Sequence, residues 1–155
     1  MVYQIDIESN SQNQQVPAMA DLEHWISAAL QSQEFVDAEV SVYIVDEDEG
    51  QELNAQYRGK DYPTNVLSFP ADIAAEVGVP LLGDLVVCAP VVAREAQEQG
   101  KTLQAHWAHM LVHGTLHLIG FDHIEDDEAE TMETLETQIV TGLGYPAPYQ
   151  DITEE

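Results

Sequence analysis

The stretch His113-Gly-Thr-Leu-His117-Leu-Ile-Gly120-Phe-Asp-His123 sets three imidazoles at offsets of 0, 4 and 10 residues. Residues four apart on an α-helix lie one turn above each other, so His113 and His117 can present ring nitrogens to a single point. Gly120 can leave a helix through a left-handed backbone, which lets the chain fold back over its last turn and bring His123 toward the pair. Three neutral nitrogen ligands leave Zn2+ a fourth position open for water or substrate, whereas structural zinc is usually closed by four protein ligands. The pattern predicts one catalytic Zn2+ held by His113, His117 and His123.

The spacing reproduces the zinc-protease pattern H-E-x-x-H-x-x-G-x-x-H, except that Gly114 stands where those proteases carry their glutamate base. Peptide hydrolysis by that route therefore lacks its proton acceptor. An i, i+4 pair of histidines alone would read as an ordinary half-buried helix face. The third histidine behind a glycine turn is what favours a metal. His109 is two turns, about 12 Å along the axis, from His117 and cannot share an ion with both His113 and His117. His109 and His106 are expected either to support the ligands or to lie at the surface. Asp122 is expected as a turn residue or a ligand's hydrogen-bond partner rather than as the acid or base.

The chain that must position these groups has 155 residues, which fits one domain with one core. Its 29 acidic and 4 basic residues give a formal net charge of −25, which opposes DNA, other polyanions and anionic membranes and favours a basic partner. The four cations are Arg58, Lys60, Arg94 and Lys101, so Arg58-Gly-Lys60 forms a local basic spot. In a balanced protein that spot would be a solvated turn; in so acidic a chain, anion binding is an equal reading. No run of 18 apolar residues is present for a membrane span, and the N-terminus lacks a secretory signal, which predicts a soluble, cytoplasmic protein. The single cysteine, Cys88, sits in an apolar run and is expected in the core of a protein kept reduced.

Alternation predicts strands near 2–7, 40–45, 65–69 and 83–88. The third is bracketed by Pro63 and Pro70 and so belongs at a sheet edge, either as a blunted edge or as a place for an extended substrate. Between the strands, Pro17 opens a helix with Leu22, Trp25, Ile26, Ala29 and Leu30 on one face, and an acidic turn over 46–50 leads into a short helix ending near Tyr57. Residues 71–80 read as a loop, Pro90 opens a helix that Gly100 ends, and Leu103, Trp107, Met110, Leu111 and Leu118 mark the apolar face of the histidine-bearing helix. Glu125-Asp-Asp-Glu128 then places negative charge at the start of a last helix reaching about Gly142. The fold class expected is α/β, a mixed sheet of about four strands packed by about five helices, with the three-histidine site on a helix ending in a glycine turn. Strands interrupted by helices require at least one parallel crossover.

The histidine stretch, together with Tyr57-Arg-Gly-Lys60, Pro63-Thr-Asn-Val-Leu-Ser-Phe-Pro70 and Leu82-Gly-Asp-Leu-Val-Val87, resembles the YbeY family of bacterial rRNA maturation factors. The resemblance spans nearly the whole chain and shows no departure in these segments. It implies a single-strand-specific endoribonuclease with one zinc, acting in small-subunit rRNA 3′-end processing and ribosome quality control. The family's metal ligands fall on His113, His117 and His123, and its functional arginine on Arg58. Catalysis is therefore expected from His113, through the metal, and from Arg58, which would stabilise charge on the phosphate. With no glutamate at position 114, metal-bound hydroxide is the expected base or nucleophile. Single-stranded RNA, the ribosomal small subunit and a basic ribosomal protein are the expected partners. Two other classes remain open at this point: a metal-dependent hydrolase of a non-RNA substrate, and a non-catalytic ribosome-assembly factor with structural zinc.

Overall fold

A computed structural model describes residues 2–9, 11, 16–60, 64–70, 81–121 and 126–148. In chain order the elements are β1 (Val2–Ser9), α1 (Met19–Ser32), β2 (Asp37–Val45), α2 (Glu47–Arg58), β3 (Val66–Pro70), β4 (Leu81–Cys88), α3 (Ala89–Glu98), α4 (Leu103–Leu118) and α5 (Asp126–Gly142). The strands form one mixed sheet in the order β1-β2-β4-β3. β1 and β4 each run parallel to β2, and β3 runs antiparallel to β4. The α/β class, the four strands, the five helices and the edge position of β3 are as the sequence predicts.

Side-chain alternation gives the sheet two faces. Val40, Val42, Ile44, Leu85 and Val87 join Leu22, Trp25, Ile26 and Leu30 of α1 and Trp107 and Leu111 of α4 in the main core. The alternate residues Val45, Leu67, Val86 and Cys88 form a second cluster against Leu53 of α2 and Val91 of α3. All five residues expected on the α1 face are buried. Cys88 is also buried, and burial pushes its thiol up to about 11.

Two boundaries differ from expectation. The first helix begins at Met19 with Ala18 in the extended conformation before it, so Pro17 precedes the helix rather than opening it. The acidic residues read as a turn are the first turn of α2, which starts at Glu47. Three carboxylates suit that position because the helix N-terminus carries partial positive charge. The loop expected over 71–80 lies outside the described residues.

The histidine-bearing helix is more central than an amphipathic stripe would make it: twelve of the sixteen residues of α4 are buried, and Leu103, Gln104, His113 and His117 are partly exposed. A helix so largely buried is held by close packing, which limits the directions its side chains can take. Thr102 caps its start, accepting a hydrogen bond from Ala105 N at 3.0 Å. At its other end Gly120 N donates to His117 O, Phe121 N donates to Leu116 O, and Gly120 has φ of 109°. This paired bonding closes the helix through a left-handed residue and sends the chain back toward it, and Phe121 packs on the cluster that contains Leu116.

Candidate metal centre

His113 and His117 stand one turn apart, with ring centroids 4.7 Å apart and planes at 81°. The two rings are therefore neighbours in space, and both are partly exposed. The third expected ligand, His123, and its neighbour Asp122 lie outside the described residues, as does the side chain of Arg58. His123 follows the glycine turn by three residues and precedes α5 by three, so both neighbouring helices bracket it in sequence.

Glu136 of α5 is the site residue that the sequence reading missed. Its side chain is fully buried, with Oε1 2.7 Å from His109 Nε2 and Oε2 2.7 Å from His113 Nδ1. Ligand atoms of His109, His113 and Glu136 lie within 4.8 Å of one another, and the three could hold a metal ion. A signal existed in the sequence: Glu136 occupies the same helix face as Met132, Ile139 and Val140, all buried, and an acid on an apolar face demands a partner. The sequence does not say which partner. His109 is buried rather than at the surface; burial lowers its pKa against the opposing pull of Glu136, which keeps the ring neutral.

His106 is also buried, so for both residues the surface alternative is excluded. Its Nε2 lies 2.9 Å from Glu95 Oε1, and Asn65 Nδ2 donates to the same carboxylate at 3.1 Å. Burial acts to raise the Glu95 pKa, but the hydrogen bonds from His106 and Asn65 outweigh it and the net shift is downward. Residues 106, 109, 113 and 117 thus form one row along α4. Its first three members meet carboxylates, and its last member stands beside the turn that leads to His123.

Gly114 acquires a physical reason. A Cβ there would come 2.9 Å from Leu85 Cδ2 and 3.2 Å from Val66 Cγ2, so α4 approaches the sheet closely at this residue. Any side chain at this position would have to displace the Leu85 methyl, so the packing favours glycine here. Ser68 Oγ donates to Gly114 O at 3.1 Å, tying β3 to the same point. The next residue of β3, Phe69, points to the other face and meets Tyr57 edge-on, with ring centroids 5.3 Å apart. β3 therefore touches both the helix that carries His113 and the last turn of the helix that ends at Arg58.

Gly59 closes α2 in the left-handed region, with φ of 71°. Of the four cations, Arg94 pairs with Glu47 at 2.9 Å and Lys101 Nζ donates to Pro148 O at 3.2 Å, both away from this edge. The Arg58-Gly-Lys60 spot lies at the α2 end beside β3, where Lys60 is exposed. Under that edge, on the α2 side, is a cavity of about 410 Å³ lined by Tyr43, Leu53, Tyr57, Phe69, Asp84 and Val86, among others. No helix among the described residues is long and apolar enough to cross a membrane.

A family model described as Endoribonuclease YbeY matches residues 4–144. A protein of Cellvibrio japonicus (strain Ueda107) named Endoribonuclease YbeY is 66% identical over 149 residues, covering 96% of this chain and 84% of its own. One of the same name from Stutzerimonas stutzeri (strain A1501) is 59% identical over 140 residues, covering 90% and 87%. Among solved structures, the solution structure of TM1509 from Thermotoga maritima covers 98% of this chain and 100% of its own, with a TM-score of 0.61 and 29% identity.

Proposed function

The chain belongs to the YbeY endoribonuclease family, and from that premise we propose that it is a zinc-dependent endoribonuclease of single-stranded RNA. In this reading His113, His117 and His123 hold one zinc ion, and Arg58 acts on the phosphate. The substrate is the 3′ end of small-subunit rRNA, cut in the cytoplasm during maturation and ribosome quality control. The chain acts as one endoribonuclease domain. Because its net charge of −25 repels RNA beyond the local basic spot, a basic ribosomal protein of the small subunit is the proposed partner in docking.

The observation that carries the proposal is the His113–His117 pair, with ring centroids 4.7 Å apart on a largely buried helix and His113 Nδ1 2.7 Å from Glu136 Oε2. The donor set fits zinc: neutral imidazoles suit it, and a ring tied through one nitrogen presents the other to an ion. When bound, zinc supplies Lewis-acid charge to a phosphoryl oxygen and makes a bound water more acidic. The protein's own part is to hold the strand and the charge. Arg58 offers a planar fork of donors that stays protonated at any working pH and suits a phosphate. The edge of β3 not paired with β4 can lie along an extended strand, and the aromatic cavity beneath it suits an unstacked base.

Arg58→Ala is expected to keep fold and zinc content while lowering single-turnover RNA cleavage by about 10²-fold or more, the scale of one lost preorganised donor. Arg58→Lys should recover only part of it. Near wild-type cleavage by folded, zinc-loaded Arg58→Ala would remove the arginine from the mechanism. A second reading rests on the His109–His113–Glu136 cluster, which could hold the ion itself and would make it a buried structural metal.

A further inference from the structure

We propose that Glu136 is the positioning residue of the metal site, fixing which nitrogen of His113 carries the proton and which binds the ion. The inference rests on the reading above, in which His113 is a ligand. A neutral imidazole has one N–H and one bare nitrogen, and only the bare nitrogen can bind a metal. Glu136 Oε2 sits 2.7 Å from His113 Nδ1, so an ionised carboxylate there accepts the Nδ1 proton and leaves Nε2 with the lone pair. The other oxygen, at 2.7 Å from His109 Nε2, accepts in the same way from a second ring. Two ring N–H donors satisfy both oxygens of a carboxylate that has no solvent contact, which is what a buried charge requires.

The same bonds clamp α5 to α4. Glu136 thus ties the middle of α5 to the two adjacent turns of α4 that carry His109 and His113.

Glu136→Gln tests this because it keeps the shape while offering one acceptor and one donor in place of two acceptors. It can satisfy the proton of only one of the two rings. Long-range proton–nitrogen correlation spectra at about pH 8, where imidazole is mostly neutral, read the tautomer of His113 in metal-free and zinc-loaded protein. The expected result is the Nδ1–H form in both states of the wild type and a loss of that preference in Glu136→Gln. Zinc affinity, measured by competition with a chromogenic chelator, should fall about 10- to 100-fold in the variant.

If Glu136→Gln fails to fold, the wild-type spectrum still decides: an Nε2–H tautomer of His113 in metal-free protein overturns the proposal. So does a folded variant with wild-type zinc affinity. His117→Ala separates this from the reading beneath it, since unchanged zinc binding there overturns the three-histidine site itself, whatever the tautomer shows.

Discussion

Two carboxylates serve one row of histidines on α4, and they serve it differently. Glu95 comes from α3, keeps its side chain 27% exposed, and joins His106 to Asn65 just before β3. Glu136 comes from α5, is fully buried, and joins His109 to His113, whose ring is 22% exposed and stands against His117. The bonds are chemically alike. The Glu95 group ends on the buried ring of His106 and on half-buried Asn65, whereas the Glu136 group ends on His113, a partly exposed ring beside His117. On the proposed function, such bonds act as a brace in one place and as ligand orientation in the other, and the distinction lies in what the far side of the imidazole meets.

Removing each carboxylate should split the two roles with the largest effect. Glu136→Ala deprives two ring N–H groups of their acceptor and should lower unfolding free energy by about 3 kcal/mol or more, with loss of bound metal. Glu95→Ala strands one buried ring and should cost about 1–2 kcal/mol with zinc content unchanged. Urea unfolding and elemental analysis of both variants measure this. Metal loss in Glu95→Ala, or full metal in Glu136→Ala, would erase the comparison.

A smaller effect comes from the sheet side of the same helix, where neither carboxylate is touched. Gly114→Ala puts a methyl 2.9 Å from Leu85 Cδ2, and overpacking of this kind costs about 1–3 kcal/mol. Because position 114 adjoins His113 and not His106, zinc affinity should weaken along with stability. Destabilisation with unchanged affinity would show that the metal site tolerates displacement of α4.

The smallest effect separates the two groups by pH. Burial lowers the His109 pKa below its ordinary 6.5, so the unfolded chain takes up that proton first. The His109 contribution to stability is present above pH 6.5 and is lost as pH falls through the folded value. Burial alone would raise Glu95, yet its bonds bring it below 4.5, so its contribution persists until the pH falls further. Lowering the pH from about 7.5 to about 5.5 should therefore shift the urea midpoint downward in the wild type and less so in His109→Gln. An equal shift in both would assign the acid sensitivity elsewhere.

The comparison also shows where the sequence speaks and where it is silent. The α1 face of Leu22, Trp25, Ile26, Ala29 and Leu30, the edge strand between prolines and the one-turn pairing of His113 with His117 are local properties, and periodicity and backbone chemistry expose them directly. The row of 106, 109, 113 and 117 was equally legible as spacing, but the roles of its first two members depend on Glu95 and Glu136, which reach them from other helices. Gly114 shows the same limit from the other side. Its sequence meaning was a missing base, while its structural meaning is the contact of α4 with Leu85 and Val66. Element starts slipped at Pro17 and Glu47 because proline and acidic residues suit both a turn and a first helical turn.

The central claim places the ion at the His117 end of the row, and zinc content separates the two ends most directly. His117→Ala and His109→Ala, each purified in excess zinc, desalted and checked for fold by circular dichroism, should give opposite results by elemental analysis. The account predicts close to no zinc in His117→Ala and about one ion per chain in His109→Ala. One ion retained by His117→Ala together with loss from His109→Ala would contradict it and place the metal among His109, His113 and Glu136.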